Sequence, residues 1–145
     1  MVFGLPSETA AVVLEPFTDM ERGFRGLVPA GWQELQPANL ARGSSALDPA
    51  YFVLEATPGT AAELFALLAG QLALDPGLEP VQRAEIGSFT WDLYAFESQG
   101  NPVDLALGED GVNSYFVLLV SPADDHYVLY EQLLLPAVVA MAPSQ

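Results

Sequence analysis

From Arg83 to Val120 apolar and polar residues alternate, and turn-forming pairs interrupt the alternation at three places. No other stretch constrains the fold as tightly. Side chains on a strand point to alternate faces, so the turn that closes a hairpin decides which residues share a face. Gly87-Ser88 suits a two-residue turn of the II′ kind, which pairs Ile86 with Phe89. Ser98-Gln99-Gly100 suits a three-residue hairpin with its glycine left-handed, pairing Glu97 with Asn101. Asp110-Gly111 suits a type I′ turn, pairing Glu109 with Val112. Counting outward, one face carries Ala84, Ile86, Phe89, Trp91, Leu93, Val103, Leu105, Leu107, Phe116, Leu118 and Val120. That surface is apolar enough to require a covering helix. The opposite face carries Arg83, Glu85, Thr90, Asp92, Tyr94, Asp104, Ala106, Tyr115, Val117 and Leu119. It is polar at one edge. Tyr115–Val120 is apolar on both sides, as a central strand is.

The remaining elements follow from local chemistry. The pattern predicts a loose lead-in over residues 1–10 and one α+β domain over 11–145. Ala11–Phe17 and Phe24–Val28 predict two strands joined by a turn through Thr18–Gly23. Pro29-Ala30-Gly31 turns the chain into Trp32, and short strands follow at Gln33–Leu35, Leu40–Arg42 and Tyr51–Ala56. Thr60-Ala61-Ala62-Glu63 has capping-box spacing, and Leu64, Leu67, Leu68 and Leu72 recur on one helical face. The spacing predicts a helix over Thr60–Leu74, stopped by Asp75-Pro76-Gly77. A second helix is predicted over Pro122–Met141, with Ser121 as N-cap, Pro122 at N1, and Asp124 and Asp125 in the dipole-favoured first turn. Pro136 is expected to kink or break it.

Composition narrows the chemistry. The chain of 145 residues has 19 acidic and 4 basic residues, a formal charge of −15. The basic residues are all arginines: Arg22, Arg25, Arg42 and Arg83. Phosphate backbones are repelled by such a surface, so no nucleic-acid partner is expected. Without cysteine or lysine, thiolate nucleophiles, thiolate metal sites and Schiff bases are impossible. The opening lacks the basic and apolar regions of a signal peptide, and no apolar run is long enough for membrane insertion as a helix.

The mixed face is where a site is sought. Its register sets Arg83 opposite Asp92 and Tyr94 opposite Asp104, with the two aspartates as diagonal neighbours. Diagonal Cβ atoms lie about 7–8 Å apart, a spacing within reach of two-carboxylate glycoside hydrolysis. A cross-strand ion pair with a tyrosine–aspartate hydrogen bond on a half-wet face is the plainer reading, and the residues favour it. A ligand pocket on this face would use Arg83, Asp92, Tyr94, Asp104 and Tyr115. His126 is the single histidine, so a triad or an ordinary general base must use it, yet no serine stands in a Gly-x-Ser-x-Gly elbow. No catalytic residue is assigned. Asp124-Asp125-His126 are consecutive and diverge on a helix, and Glu109-Asp110-Gly111 lacks an EF-hand loop, so no metal is expected. No glycine pattern matches a nucleotide fingerprint, and no cofactor is expected. Trp91, on the apolar face, is expected in the core.

The segment Phe17-Thr18-Asp19, then Gly23-Phe24-Arg25-Gly26-Leu27-Val28-Pro29-Ala30-Gly31-Trp32, resembles the opening of PsbP-like domains. More closely, the chain resembles small domains near the C-terminus of bacterial (Chloroflexi-type) secreted or lipoprotein serine hydrolases and α/β-hydrolases. The pieces that carry this are Val28–Trp32, Ala41-Arg42-Gly43-Ser44, Phe89–Tyr94, Val103–Leu107 and Tyr115–Val120, with the closing segment through Leu135-Pro136-Ala137. The resemblance implies an antiparallel twisted sheet flanked by helices, a PsbP-like α/β sandwich. It transfers no catalytic residue. It implies a non-catalytic accessory or protein-interaction module, with an adjoining hydrolase domain or another protein as partner and a secreted or cell-surface parent. The chain is then either a piece of such a parent or a free-standing relative. The alternative is a small-molecule-binding domain using the polar, aromatic sheet face. Neither reading sets the oligomeric state.

Overall fold

The computed structural model describes residues 12–36, 38–42, 48–75, 77–86 and 89–143. Its elements are β1 (Leu14–Asp19), β2 (Phe24–Pro29), β3 (Gln33–Gln36), β4 (Asn39–Ala41), β5 (Tyr51–Pro58), α1 (Ala61–Leu72), β6 (Gln82–Ile86), β7 (Phe89–Ser98), β8 (Asn101–Glu109) and β9 (Asn113–Val120). A helical segment follows: a 3-10 turn (Ala123–Asp125), α2 (His126–Leu129), a π-helical stretch (Tyr130–Leu134) and α3 (Leu135–Ala140), before β10 (Ala142–Pro143). The fold is α+β. Seven strands run in the order β3-β4-β5-β9-β8-β7-β6, every neighbouring pair antiparallel. β1, β2 and β10 form a second, smaller antiparallel sheet. As its two apolar faces predict, Tyr115–Val120 is central, flanked by β5 and β8.

The β6–β7 register is the expected one, with Ile86 opposite Phe89 and Arg83 opposite Asp92. The turn assigned to Gly87-Ser88 lies outside the described residues, as do the lead-in 1–10, Gly43-Ser44 and Pro76. The next hairpin departs from expectation by one residue. Ser98 pairs with Asn101 and Glu97 with Pro102, because Gln99 (φ 55°) and Gly100 (φ 86°) are both left-handed. Two left-handed central residues close a two-residue turn, so Ser98 stays in the ladder. A one-residue slip turns every β8 side chain to the other face. At the third turn Glu109 pairs with Ser114 rather than with Val112. The Asp110 carboxylate accepts N–H bonds from Val112 and Asn113, both at 2.9 Å, which holds a longer loop. That shift is even and leaves the faces of β8 and β9 matched.

In place of one apolar and one mixed face, the sheet has two apolar faces. One carries Phe89, Trp91, Leu93, Ala106, Tyr115, Val117 and Leu119, continued by Phe52 and Leu54; the α2–α3 segment and Phe24 and Val28 of β2 pack on it. The other carries Tyr94, Leu105, Leu107, Phe116 and Val53 under Leu64 and Leu68 of α1. Trp91 is fully buried, as expected. Its indole lies flat against Gly108, its cross-strand partner: a Cβ there would come within 2.7 Å of the ring.

Helix α1 carries the anticipated capping box. Thr60 accepts the Glu63 N–H and the Glu63 side chain accepts the Thr60 N–H, both at 3.1 Å. Its buried face is Leu64, Leu68 and Ala69, whereas Leu67 and Leu72 are exposed. The helix ends at Leu72, before the expected stop, because Ala73 is left-handed and its N–H, with that of Leu74, closes on the Ala69 carbonyl. Ser121 does not cap the last helical segment. Pro122 is still extended (ψ 149°), helical turns begin at Ala123, and the buried Ser121 hydroxyl has no hydrogen-bond partner among the described residues. Pro136 acts as expected in modified form. It has no N–H for the Gln132 carbonyl, and the preceding turn widens so that the Leu135 N–H reaches Tyr130 instead.

Candidate functional site

The slip at Gln99 decides which of the singled-out residues meet. Arg83, Asp92 and Tyr94 share the α1-side face, whereas Asp104 and Tyr115 lie on the other. Asp104 stands opposite Ala95 and Leu119, and Tyr94 stands opposite Leu105. The diagonal Asp92–Asp104 pair therefore does not form, and with it goes the geometric basis for two-carboxylate chemistry.

Arg83, Asp92 and Tyr94 line a half-open cleft of about 510 Å³ together with Ala61, Ala62, Phe65, Leu78, Thr90 and Glu109. One wall is the first turns of α1, and the other is the β6–β7–β8 end of the sheet. Arg83 grips Asp92 in a fork, Nε to Oδ1 at 2.7 Å and Nη2 to Oδ2 at 3.2 Å. The two side chains differ in exposure, 68% for Arg83 and 19% for Asp92, so the carboxylate belongs to the wall while the guanidinium lies in solvent. The hydrogen bonds that Arg83 donates to Asp92 push its pKa further up. Phe65 and Tyr94 stack with centroids 5.0 Å apart and planes at 18°. Burial, and after it the Asp92 charge, raises the Tyr94 hydroxyl above the ordinary phenol value. Glu109 Oε1 accepts the Ala61 N–H at 2.5 Å, placing a negative charge on the positive end of α1 from a different element. Glu85, Thr90 and Glu109 stand in one cross-strand row.

Phe65, Leu78 and Glu109 were missed by the sequence analysis. For Phe65 a signal exists: with Leu68 and Ala69 it continues the stripe at i+3 and i+4, whereas a stripe through Leu67 turns the helix away from the sheet. For Leu78 and Glu109 no local signal exists, since only tertiary packing brings them to α1.

The other sheet face holds a different arrangement. His126 Nε2 lies 2.6 Å from Asp104 Oδ2, with the histidine side chain 36% and the aspartate 5% exposed. Burial pushes the Asp104 carboxyl above the usual carboxylate range, and the bond to His126 opposes it. Tyr130 approaches His126 at 6.0 Å between centroids. Tyr115 is buried in the core, stacks on Phe89 at 4.7 Å, and bonds Asp110 Oδ2 through its hydroxyl at 3.0 Å. Beside this region Arg42 joins β4 to the 3-10 turn by binding both Asp48, at 2.7 Å, and Asp125, at 2.9 Å. A second cleft, of about 480 Å³, includes Asp19, Arg22 and Glu55. There Arg22 Nη1 bridges Asp19 (3.3 Å) and Glu55 (3.0 Å), and burial pushes the Glu55 carboxyl up. Among the described residues no group of three His, Cys, Asp or Glu side chains is placed to hold a metal ion. No helix among them is long and apolar enough to cross a membrane.

No protein-family model matches the chain, and no curated protein matches it. Solved structures do. LpqN of Mycobacterium tuberculosis, described as involved in cell envelope biogenesis, is similar with a TM-score of 0.49 and 14% identity, over 91% of this chain and 92% of that one. The solution structure of cyanobacterial PsbP (CyanoP) from Synechocystis sp. PCC 6803 matches over 97% of this chain and 98% of its own, with a TM-score of 0.55 and 11% identity. At that identity the likeness is one of architecture: the chain has a PsbP-like α+β fold.

Proposed function

We propose that this chain is a non-catalytic accessory or interaction module, folded as one domain over residues 11–145, that takes its partner in the cleft between α1 and the β6–β8 end of the sheet. The observation that carries this is the convergence of Arg83, Asp92 and Tyr94 with Phe65 on a half-open cleft. A protein partner, with an adjoining hydrolase domain the first to test on the strength of the resemblance, suits a cleft this open. The stacked Phe65–Tyr94 rings beside an oriented Arg–Asp fork also favour a second reading, a small-molecule-binding domain using the same walls.

A photoreactive residue placed at Phe65, and in a separate variant at the exposed Leu35 on the far edge strand β3, tests the proposal in extract of the source organism. A discrete protein adduct from position 65 and none from position 35 is expected. A small-molecule adduct at position 65 selects the second reading, and equal or no labelling at the two positions removes both. Assay of ester, phosphoester, glycoside and peptide substrates is expected to show no turnover. Turnover abolished by His126→Ala would end the non-catalytic reading.

A further inference from the structure

Resting on that cleft as the binding site, we propose that the partner it accepts is an arginine-bearing basic segment of another protein, whose guanidinium takes the place of Arg83 on Asp92. The receptor half of a fork is already built. Asp92 sits in the wall at 19% exposure and presents both oxygens to a guanidinium plane, while the guanidinium that fills it is 68% exposed and projects from the edge strand β6. An exposed ion pair holds weakly, so exchanging one guanidinium for another costs little. The incoming cation brings the contacts of a second peptide chain, and the Phe65–Tyr94 rings line the cleft it enters. The surroundings select charge. Glu109 lines the cleft and Glu85 stands in its cross-strand row, so carboxylates outnumber Arg83 there. The whole chain, at −15, attracts cations and repels anionic ligands. Fork geometry favours arginine over lysine, whose ammonium is a point charge.

The test uses the whole chain and capped pentapeptides Ala-Ala-X-Ala-Ala, with X as arginine, lysine, citrulline or glutamate, followed by amide NMR shifts. The arginine peptide is expected to move Phe65, Thr90 and Tyr94, with lysine weaker and citrulline and glutamate silent. Asp92→Asn should weaken arginine binding about tenfold. Asp92→Glu, which keeps the charge but displaces the fork, should erase the preference for arginine over lysine. Arg83→Ala empties the fork and should tighten binding about two- to fivefold relative to Arg25→Ala, which removes the same charge from an exposed position on β2. Equal affinities in Arg83→Ala and Arg25→Ala, or wild-type affinity in Asp92→Asn, would reduce the effect to general charge and overturn the proposal. Cleft shifts with citrulline or glutamate peptides would overturn it while leaving the cleft as the binding site. Silence from every peptide, with no adduct at position 65, would remove the site as well.

Discussion

At the residue scale, charge placement governs what a single substitution does. Arg42 is the instructive case because it ties β4 to the start of the last helical segment through Asp48 and Asp125. Its hydrogen bond holds the Asp48 carboxyl below the usual range, against the opposing effect of burial. A carboxylate depressed on folding adds stability above its unfolded pKa and loses it as pH falls toward the folded value. Arg42→Met should therefore cost about 1 kcal/mol at neutral pH, and the cost should fade as pH drops below about 4. Urea denaturation of both proteins across that range checks it; a pH-independent difference would mean that packing of the arginine stem, not charge, is what was lost. Asp104 runs the other way: its carboxyl is raised by burial, so its part of the stability is present at acid pH and declines as pH rises through the folded value.

At the element scale the β7–β8 hairpin is decisive. Gln99 holds a left-handed φ of 55°, which a glutamine adopts at a cost. Asparagine tolerates that region and with Gly100 would make the preferred turn pair. Gln99→Asn is expected to raise stability by about 0.5–1 kcal/mol with no change of register, measured by thermal melts alongside amide NMR. Lower stability would show that the glutamine side chain contributes something the turn geometry does not. On the same hairpin, Gly108 leaves room for the buried indole of Trp91, and a methyl group there would meet ring atoms 2.7–2.9 Å away. Gly108→Ala should destabilise by about 1–3 kcal/mol and shift Trp91 fluorescence. An unaltered melting temperature would mean the indole can move aside, against a core face filled by Phe89 and Tyr115.

At the scale of the whole molecule, 19 carboxylates and 4 arginines make the folded state repel itself. Raising salt from about 0.01 M to about 0.1 M shortens the screening length about threefold, so the melting temperature should rise. A fall would mean that the Arg22, Arg42 and Arg83 pairs outweigh the repulsion. The same imbalance gives the α1–β6–β8 cleft its preference for cations. The two helical layers occupy opposite sides of the large sheet, and this is why Asp92 faces the cleft while Asp104 meets His126 beneath the C-terminal segment.

The α+β class, the Arg83–Asp92 pair, the central place of Tyr115–Val120, the Thr60–Glu63 cap and the burial of Trp91 all follow from the sequence alone. They are local: each depends on side-chain alternation, on two-sided hydrophobicity or on hydrogen bonds spanning a few residues. The face of every residue beyond Gln99 was decided by tertiary structure. Between a two- and a three-residue turn the local energies differ little, whereas burying Tyr115, Val117 and Leu119 against Leu133 and Val138 involves a whole core. The pairing of Asp104 with His126, the meeting of Phe65 with Tyr94, and the cleft between them and Arg83 are consequences of that choice. They became legible only once both faces of the sheet were covered.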